Sequence, residues 1–422
     1  MVKEYLFSYN KTVELDLGEN FDLSATDTKK KYLISNSKES LSEIYAAEIN
    51  FYFENSEDEL QEKIHNIKEL YKARSTALDY DQTIEHSVEI GKRITIISQG
   101  EQAKLNEALQ AHGFTISTLS PADISIQGHI GKLTISCQQA KDCTQSQTDQ
   151  IIWFDAPQYS SAISGVYDPK SFSLEGLIRK VSENCGAYPF LNYIKHNSSI
   201  CLDTLKRGAS CHKCADICPT NGIVHRNGDL LFSAIDCQAC GQCISICPSG
   251  ALSYAQMPRA SFKDICLFYR EKTALLLPEG SDLERIRLPL KKDVLPFAIK
   301  TAGFLDESHL LTLIQTSGRP IIIYTDQPSE VTKEIVQLVN AIFQSKYQRP
   351  AICLCHDAKE LEQAMQETSP LAGSIFQLDV VAPKKREIFS LRLAHLVGDN
   401  DLGTLSTGPH IHYGTLSLNQ ES

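Results

Sequence analysis

Apolar residues along this chain gather into short runs that alternate with helical repeats over two stretches, and a polar, cysteine-rich segment separates the two. In the first stretch "RITIIS" (93–98) reads as a strand, "EQAKLNEALQA" (101–111) as a helix ending at His112-Gly113, and "FTISTLS" (114–120) as the next strand. "KLTIS" (132–136) and "QIIWFDA" (150–156) are two further short strands, so residues 92–157 predict a small, Rossmann-like α/β domain. In the second stretch "TALLLP" (273–278), "PIIIYT" (320–325) and "AICLCH" (351–356) are apolar strands. Helices are expected in "SEVTKEIVQLVNAIF" (329–343), opened by Pro328, and in "DAKELEQAMQ" (357–366). Residues 257–395 therefore predict another α/β domain, with a parallel or mixed sheet.

The remaining segments are less periodic. Residues 1–91 are polar and acidic, with one amphipathic helix. Ser56 and Glu59 make a capping-box pattern ahead of Leu60, Ile64, Ile67 and Tyr71, which share one helical face. Residues 158–200 read as a connector with a helix in "SLEGLIRKVSENCG", 201–256 as a cysteine module, and 396–422 as a loop-like C-terminal segment.

Composition narrows the function classes. A net charge of −11 supplies no basic excess to neutralise phosphates, which argues against a nucleic-acid binder. No segment approaches the ~18 uncharged apolar residues of a membrane span, and the first residues lack the apolar core and cleavage site of a secretory signal. The chain carries 14 cysteines, which in the expected cytoplasmic setting read as metal ligands before disulfides.

Their spacing is specific. "DCQACGQCISICP" contains the ferredoxin run C-x₂-C-x₂-C-x₃-C-P in full, as Cys237, Cys240, Cys243, Cys247 and Pro248. "RGASCHKCADICP" supplies Cys211, Cys214, Cys218 and Pro219, but Gly208 stands where the leading cysteine belongs. In such pairs the last cysteine of each run ligates the other cluster. One [4Fe–4S] cluster is then held by Cys218, Cys237, Cys240 and Cys243. Structural zinc uses C-x₂-C pairs that close one tetrahedral site, and these consecutive spacings exceed that need.

The other cluster has Cys211, Cys214 and Cys247 and needs a fourth ligand. Cys201 is nearest, separated from Cys211 by nine intervening residues that include Arg207-Gly208; Cys185 and Cys266 flank the module. A three-iron cluster without a fourth thiolate is the alternative.

The segment "CLDTLKRGASCHKCADICPTNGIV" (201–224) resembles a family of bacterial [4Fe–4S] polyferredoxins encoded beside molybdenum or tungsten formate dehydrogenases. The likeness covers Cys201, Arg207, Gly208, Cys211, Cys214, Cys218 and Pro219, and extends more loosely to "GVYDPKSFSLEGLI", "LRLAHLVG" and "GPHIHYGTLSL". It implies Cys201 as the fourth ligand of the first cluster, and a formate dehydrogenase or its assembly machinery as partner. Longer members of that family continue into another cysteine-rich segment. None follows here, so the chain reads either as a two-cluster member or as part of a longer protein.

Other residues carry less. "GHIGK" (128–132) lacks the spacing of a phosphate loop, and no G-x-G-x-x-G follows a strand. Cys353 and Cys355 share a strand face as small buried hydrophobes, and Cys137, Cys143, Cys185 and Cys266 are assigned no chemistry. His410 and His412 share a face but lack a third metal ligand. His212, Lys213 and His225 lie in or just past the first binding loop, as exposed positions or as charges that raise that cluster's potential.

The expected architecture is thus two small α/β domains flanking a central, ferredoxin-like α+β module with two [4Fe–4S] clusters. The expected function is one-electron transfer to a redox partner, as a carrier or accessory subunit rather than a stand-alone catalyst. The competing readings are a formate dehydrogenase maturation factor with structural clusters and a flavin-containing iron–sulfur oxidoreductase.

Overall fold

The structure is a computed structural model that describes residues 3–10, 13–23, 30–120, 124–137, 146–157, 160, 162–205, 211–226, 228–281, 283, 288–371, 384–411, 413 and 415–417. The chain forms two compact units. The first comprises Met1–Gln82, Lys195–Cys214 and Ala239–Ser422, and the second Thr83–Ile194 and Ala215–Gln238. Two of the boundaries fall within the cysteine module.

In the second unit the apolar runs pair as a four-stranded parallel sheet in the order Val166–Tyr167, Gln150–Trp153, Arg93–Ile97, Thr115–Leu119. Its central strands are buried on both faces, which is why they read as continuous apolar runs. Ile94, Ile96 and Ile152 face the helices Ala103–Ala111 and Leu174–Glu183 through Leu105, Leu109, Leu177 and Val181. On the other face Ile97, Ile151 and Trp153 meet Leu133 and Ile135. Those two residues belong to a separate antiparallel sheet of Ile124–Gln127, Leu133–Cys137 and Ser146–Thr148. The "KLTIS" run is therefore a strand of this covering layer, and helices occupy one face of the parallel sheet. Ser173 caps the second helix by accepting from the Gly176 amide.

In the first unit the second apolar stretch also forms a four-stranded parallel sheet, ordered Val294–Ile299, Thr273–Pro278, Ile321–Tyr324, Ile352–Cys355. Numbered along the chain, both parallel sheets have the strand order 2-1-3-4. Glu330–Tyr347 and Ala358–Ala364 are the expected helices, capped by Ser329 and Asp357. The structure adds a strand at Val294–Ile299 and helices Arg259–Cys266, Glu307–Ser317 and Lys385–Val397. Asp306 and His309 form a capping box on the Glu307 helix, and Gly318 ends it in the left-handed region.

The N-terminal segment is more structured than its polarity suggests. Four short parallel strands, Tyr5–Leu6, Phe21–Asp22, Lys31–Ser35 and Leu41–Tyr45, precede the helices Ala47–Asn55 and Leu60–Asp79. Tyr71 of the long helix ties them down, donating its hydroxyl to Leu6 O at 2.5 Å. The expected capping box does not form. The Ser56 amide instead closes the preceding helix on Tyr52 O, and its hydroxyl donates to Asp58. Near the C-terminus, where a loop was expected, Thr404–Ser406 pairs antiparallel with Thr415–Ser417. Among the described residues no helix is long and apolar enough to cross a membrane.

Candidate metal centre

In the first unit Cys201, Cys214, Cys243 and Cys247 are buried, and Cys211 and Cys240 half-buried. Cys201 lies in a tight turn in which Leu205 N–H donates to its carbonyl at 3.0 Å. Cys211 precedes a short helix, Lys213–Asp216, on which Cys214 sits. Burial pushes the Cys211 thiol up, and the neighbouring Cys247 and Cys201 raise it further. The Lys213 amide, donating to that sulfur, and the Lys213 charge oppose the rise. Cys201 and Cys247 both lie within electrostatic reach of Cys211, although Cys247 is 36 positions further along the chain. Arg207 and Gly208 lie outside the described residues.

The second run is held by distant parts of the same unit. Gly241, at φ +74°, leads into the helix Gln242–Ile246; a Cβ there would stand 2.6 Å from Phe304 N. A Cβ on Gly303 would in turn overlap the Cys240 carbonyl oxygen, which accepts the Thr301 hydroxyl at 3.3 Å. Below this contact Lys385, 2% exposed, donates its ammonium to Ser245 O at 2.8 Å and pairs with buried Glu307 at 3.0 Å. Cys247 Sγ lies 3.7 Å from the Ser249 hydroxyl, and Arg259, paired with Asp306, lies within electrostatic reach of that cysteine.

The second unit contains Cys218 and Cys237, both half-buried. The Thr220 hydroxyl connects their turns: it sits 3.6 Å from Cys218 Sγ and donates to Asp236 O at 2.7 Å. The Asp236 carboxylate accepts from the Ser233 and Ser164 hydroxyls. The strands Ile223–Arg226 and Asp229–Phe232 form an antiparallel hairpin between these turns. The four residues of the expected second cluster are therefore divided, Cys218 and Cys237 in one unit and Cys240 and Cys243 in the other.

The remaining cysteines and histidines have other surroundings. Cys185 donates to Val181 O at 3.3 Å, and burial raises its thiol. Cys266 is 1% exposed, and burial raises it strongly. Burial pushes Cys353 up to about 11 and Cys355 up to about 12, which keeps both thiols protonated at neutral pH. Cys143 and His412 lie outside the described residues, while His410 Nδ1 meets Glu334 at 2.9 Å. His212 is exposed and His225 half-buried. The Lys213 ammonium donates to His410 O at 3.0 Å and is lowered by burial. Lys385, Gly303 and Thr220 had no signal in the sequence beyond their residue types.

Among the described residues no three His, Cys, Asp or Glu side chains form a group that fits a metal ion. A single thiolate-bound zinc requires its sulfurs within about 4 Å of one another, given Zn–S bonds of ~2.3 Å. A cubane carries each thiolate on a different iron and spaces them more widely. The donor set of the first unit, all cysteine, fits the thiolate ligation of an iron–sulfur cluster in its chemistry. Comparison with family models, curated proteins and solved structures yields no match to this chain.

Proposed function

We propose that the chain is an iron–sulfur electron-transfer protein with two [4Fe–4S] clusters. The first is held by Cys201, Cys211, Cys214 and Cys247, and the second by Cys218, Cys237, Cys240 and Cys243. The observation that carries this reading is the spacing of the two cysteine runs, supported by Cys201, which is buried and, like Cys247, within electrostatic reach of Cys211. The alternative fourth ligands have other surroundings, since Cys185 donates to Val181 O and Cys266 is buried at the end of the helix Arg259–Cys266. When bound, each cluster accepts and releases single electrons. The chain's part is to present thiolates, to shield them from water, and to set the local charge through Lys213 and Arg259. On the strength of the family resemblance, the redox partner is a formate dehydrogenase or its assembly machinery.

The test is iron and sulfide analysis with EPR on protein purified without oxygen, alongside Cys201→Ala. The intact chain should carry about eight irons, and the variant about seven with a new signal in the oxidised state, or about four. A chain that holds zinc, or no metal after anaerobic reconstitution, contradicts the function. A variant identical to the parent contradicts only the place given to Cys201.

A further inference from the structure

The first unit holds a buried hydrogen-bond donor that the fold leaves unused. Arg259 opens the helix Arg259–Cys266, and the far end of its guanidinium is fixed. Nη1 donates to Asp306 Oδ1 at 3.1 Å and to the Ser308 hydroxyl at 2.7 Å, and Nη2 donates to Asp306 Oδ2. Asp306 is itself held, since it caps the helix Glu307–Ser317. The Arg259 side chain is 21% exposed, but its Nε is buried and has no partner among the described residues. A buried N–H without an acceptor is costly and rare, so an acceptor is expected beside it in the working protein.

The surroundings narrow what that acceptor is. Phe304 packs edge-on against Phe262, on the Arg259 helix, and against His309, with ring centres 6.3 and 5.6 Å away. The same Phe304 meets Gly241, where a Cβ would stand 2.6 Å from its amide. Through Phe304 the Arg259 layer is thus packed on the Cys240–Cys247 run. Asp306, Glu307 and Cys247 lie within electrostatic reach of the guanidinium. Asp306 is bonded to both Nη atoms, and Glu307 is taken up by Lys385 and the Tyr413 hydroxyl. Cys247 is left, its sulfur 3.7 Å from the Ser249 hydroxyl.

We propose that Arg259 Nε–H donates to the Cys247 sulfur when the first cluster is bound, and thereby raises that cluster's reduction potential. The inference rests on the iron–sulfur reading above. Hydrogen bonds to the sulfurs are among the levers by which a protein sets a cluster's potential. Reduction adds a negative charge that spreads onto the thiolates, so a donor aimed at a ligand sulfur stabilises the reduced form more than the oxidised one. Asp306 offsets the charge of Arg259, which leaves the directed N–H, rather than net charge, as the active feature.

The experiment is an EPR-monitored redox titration of the full, cluster-loaded chain and of Arg259→Lys. Lysine puts a methylene where Nε stands and keeps a cation against Asp306, so it removes the donor and retains the pair. One cluster of the variant should become harder to reduce by about tenfold in its equilibrium, about 59 mV for one electron, with the other unchanged. A second measurement does not depend on that variant folding. Pulsed EPR of the parent chain, grown with arginine carrying ¹⁵N at Nε, should show a ¹⁵N coupling to a reduced cluster. Arg207→Lys, at the arginine nearest a ligand in sequence, should keep that coupling, and Arg259→Lys should lose it. No coupling in the parent, its loss in Arg207→Lys, or unshifted potentials in Arg259→Lys overturns the proposal. A chain that holds no iron–sulfur cluster overturns the underlying reading as well, whereas loaded clusters indifferent to Arg259 leave that reading standing.

Discussion

The two units hold their cysteine turns by different means. In the second unit the Cys218 and Cys237 turns are joined mainly by short side chains close by in sequence: Thr220, Ser233 and Asp236, with Ser164 as the one distant partner. In the first unit the Cys240–Cys247 run leans on Thr301, Gly303, Glu307 and Lys385, up to 140 residues away. A hydroxyl linking two neighbouring turns forms at little entropic cost, because a short loop is already nearly closed. A lysine brought from the far end of the chain is ordered only if the whole unit folds. The comparison teaches that one half of a cysteine module can be shaped locally while the other depends on the tertiary core.

The largest effect is expected from Lys385→Met. Removing this cation leaves Glu307 buried with the Tyr413 hydroxyl but without its countercharge. Loss of one partner of a buried pair costs about 3–5 kcal/mol. Denaturant melts should show the first unit unfolding earlier, and anaerobic iron analysis should show the cluster proposed for Cys211 and Cys247 lost first. A cost below about 1 kcal/mol would mean that Lys385 is not what secures this half.

A smaller effect is expected from Thr220→Val, which keeps the shape but removes the hydroxyl between the Cys218 and Cys237 turns. The Asp236 carbonyl and the Gly222 amide each lose a partner, at a total of about 1–2 kcal/mol. The same denaturant melt should record the loss in the second unit, with the first unit unchanged. Destabilisation of the first unit by this variant would break the comparison.

Acid should separate the units least. In the second unit burial by itself would raise the Asp149 carboxyl, but the Arg93 guanidinium and amide together hold it below its usual range. In the first unit burial opposes Arg259 and His309, which hold Asp306 well below that range. A carboxylate with a lowered folded pKa contributes stability that is complete above its unfolded value, ~3.9. That contribution fades as pH falls through the folded value. Both units should therefore keep it at neutral pH and lose it below about pH 4. Calorimetry between pH 5 and pH 3, within the usual acid-titration window, should show Asp149→Asn flattening that dependence in the second unit alone. An unchanged pH profile in the variant would mean that the Arg93 pair does not contribute.

Much of the architecture was legible because it is written in local pattern. "RITII", "QIIW" and "TALLLP" are buried on both faces of parallel sheets and appear as unbroken apolar runs. Their helices carry cap residues at Ser173, Ser329 and Asp357. The N-terminal strands were not legible, being as short as two residues and dependent on Tyr71 for their order. Ser56 and Glu59 matched a cap motif, but the preceding helix ends on the Ser56 amide and its hydroxyl turns to Asp58.

By itself the sequence determined which cysteines stand together in each run, because covalent spacing limits how far neighbouring thiolates can part. It also determined the strand and helix segments whose periodicity is complete within a dozen residues. Only the tertiary structure decided that Cys201 lies within electrostatic reach of Cys211, and that a lysine in "KKREIF" is buried against Glu307. It alone paired Arg74 with Glu48 in the lining of a cleft. Each of these depends on groups far apart along the chain, whose charge is tolerated in the interior only where the fold supplies the partner.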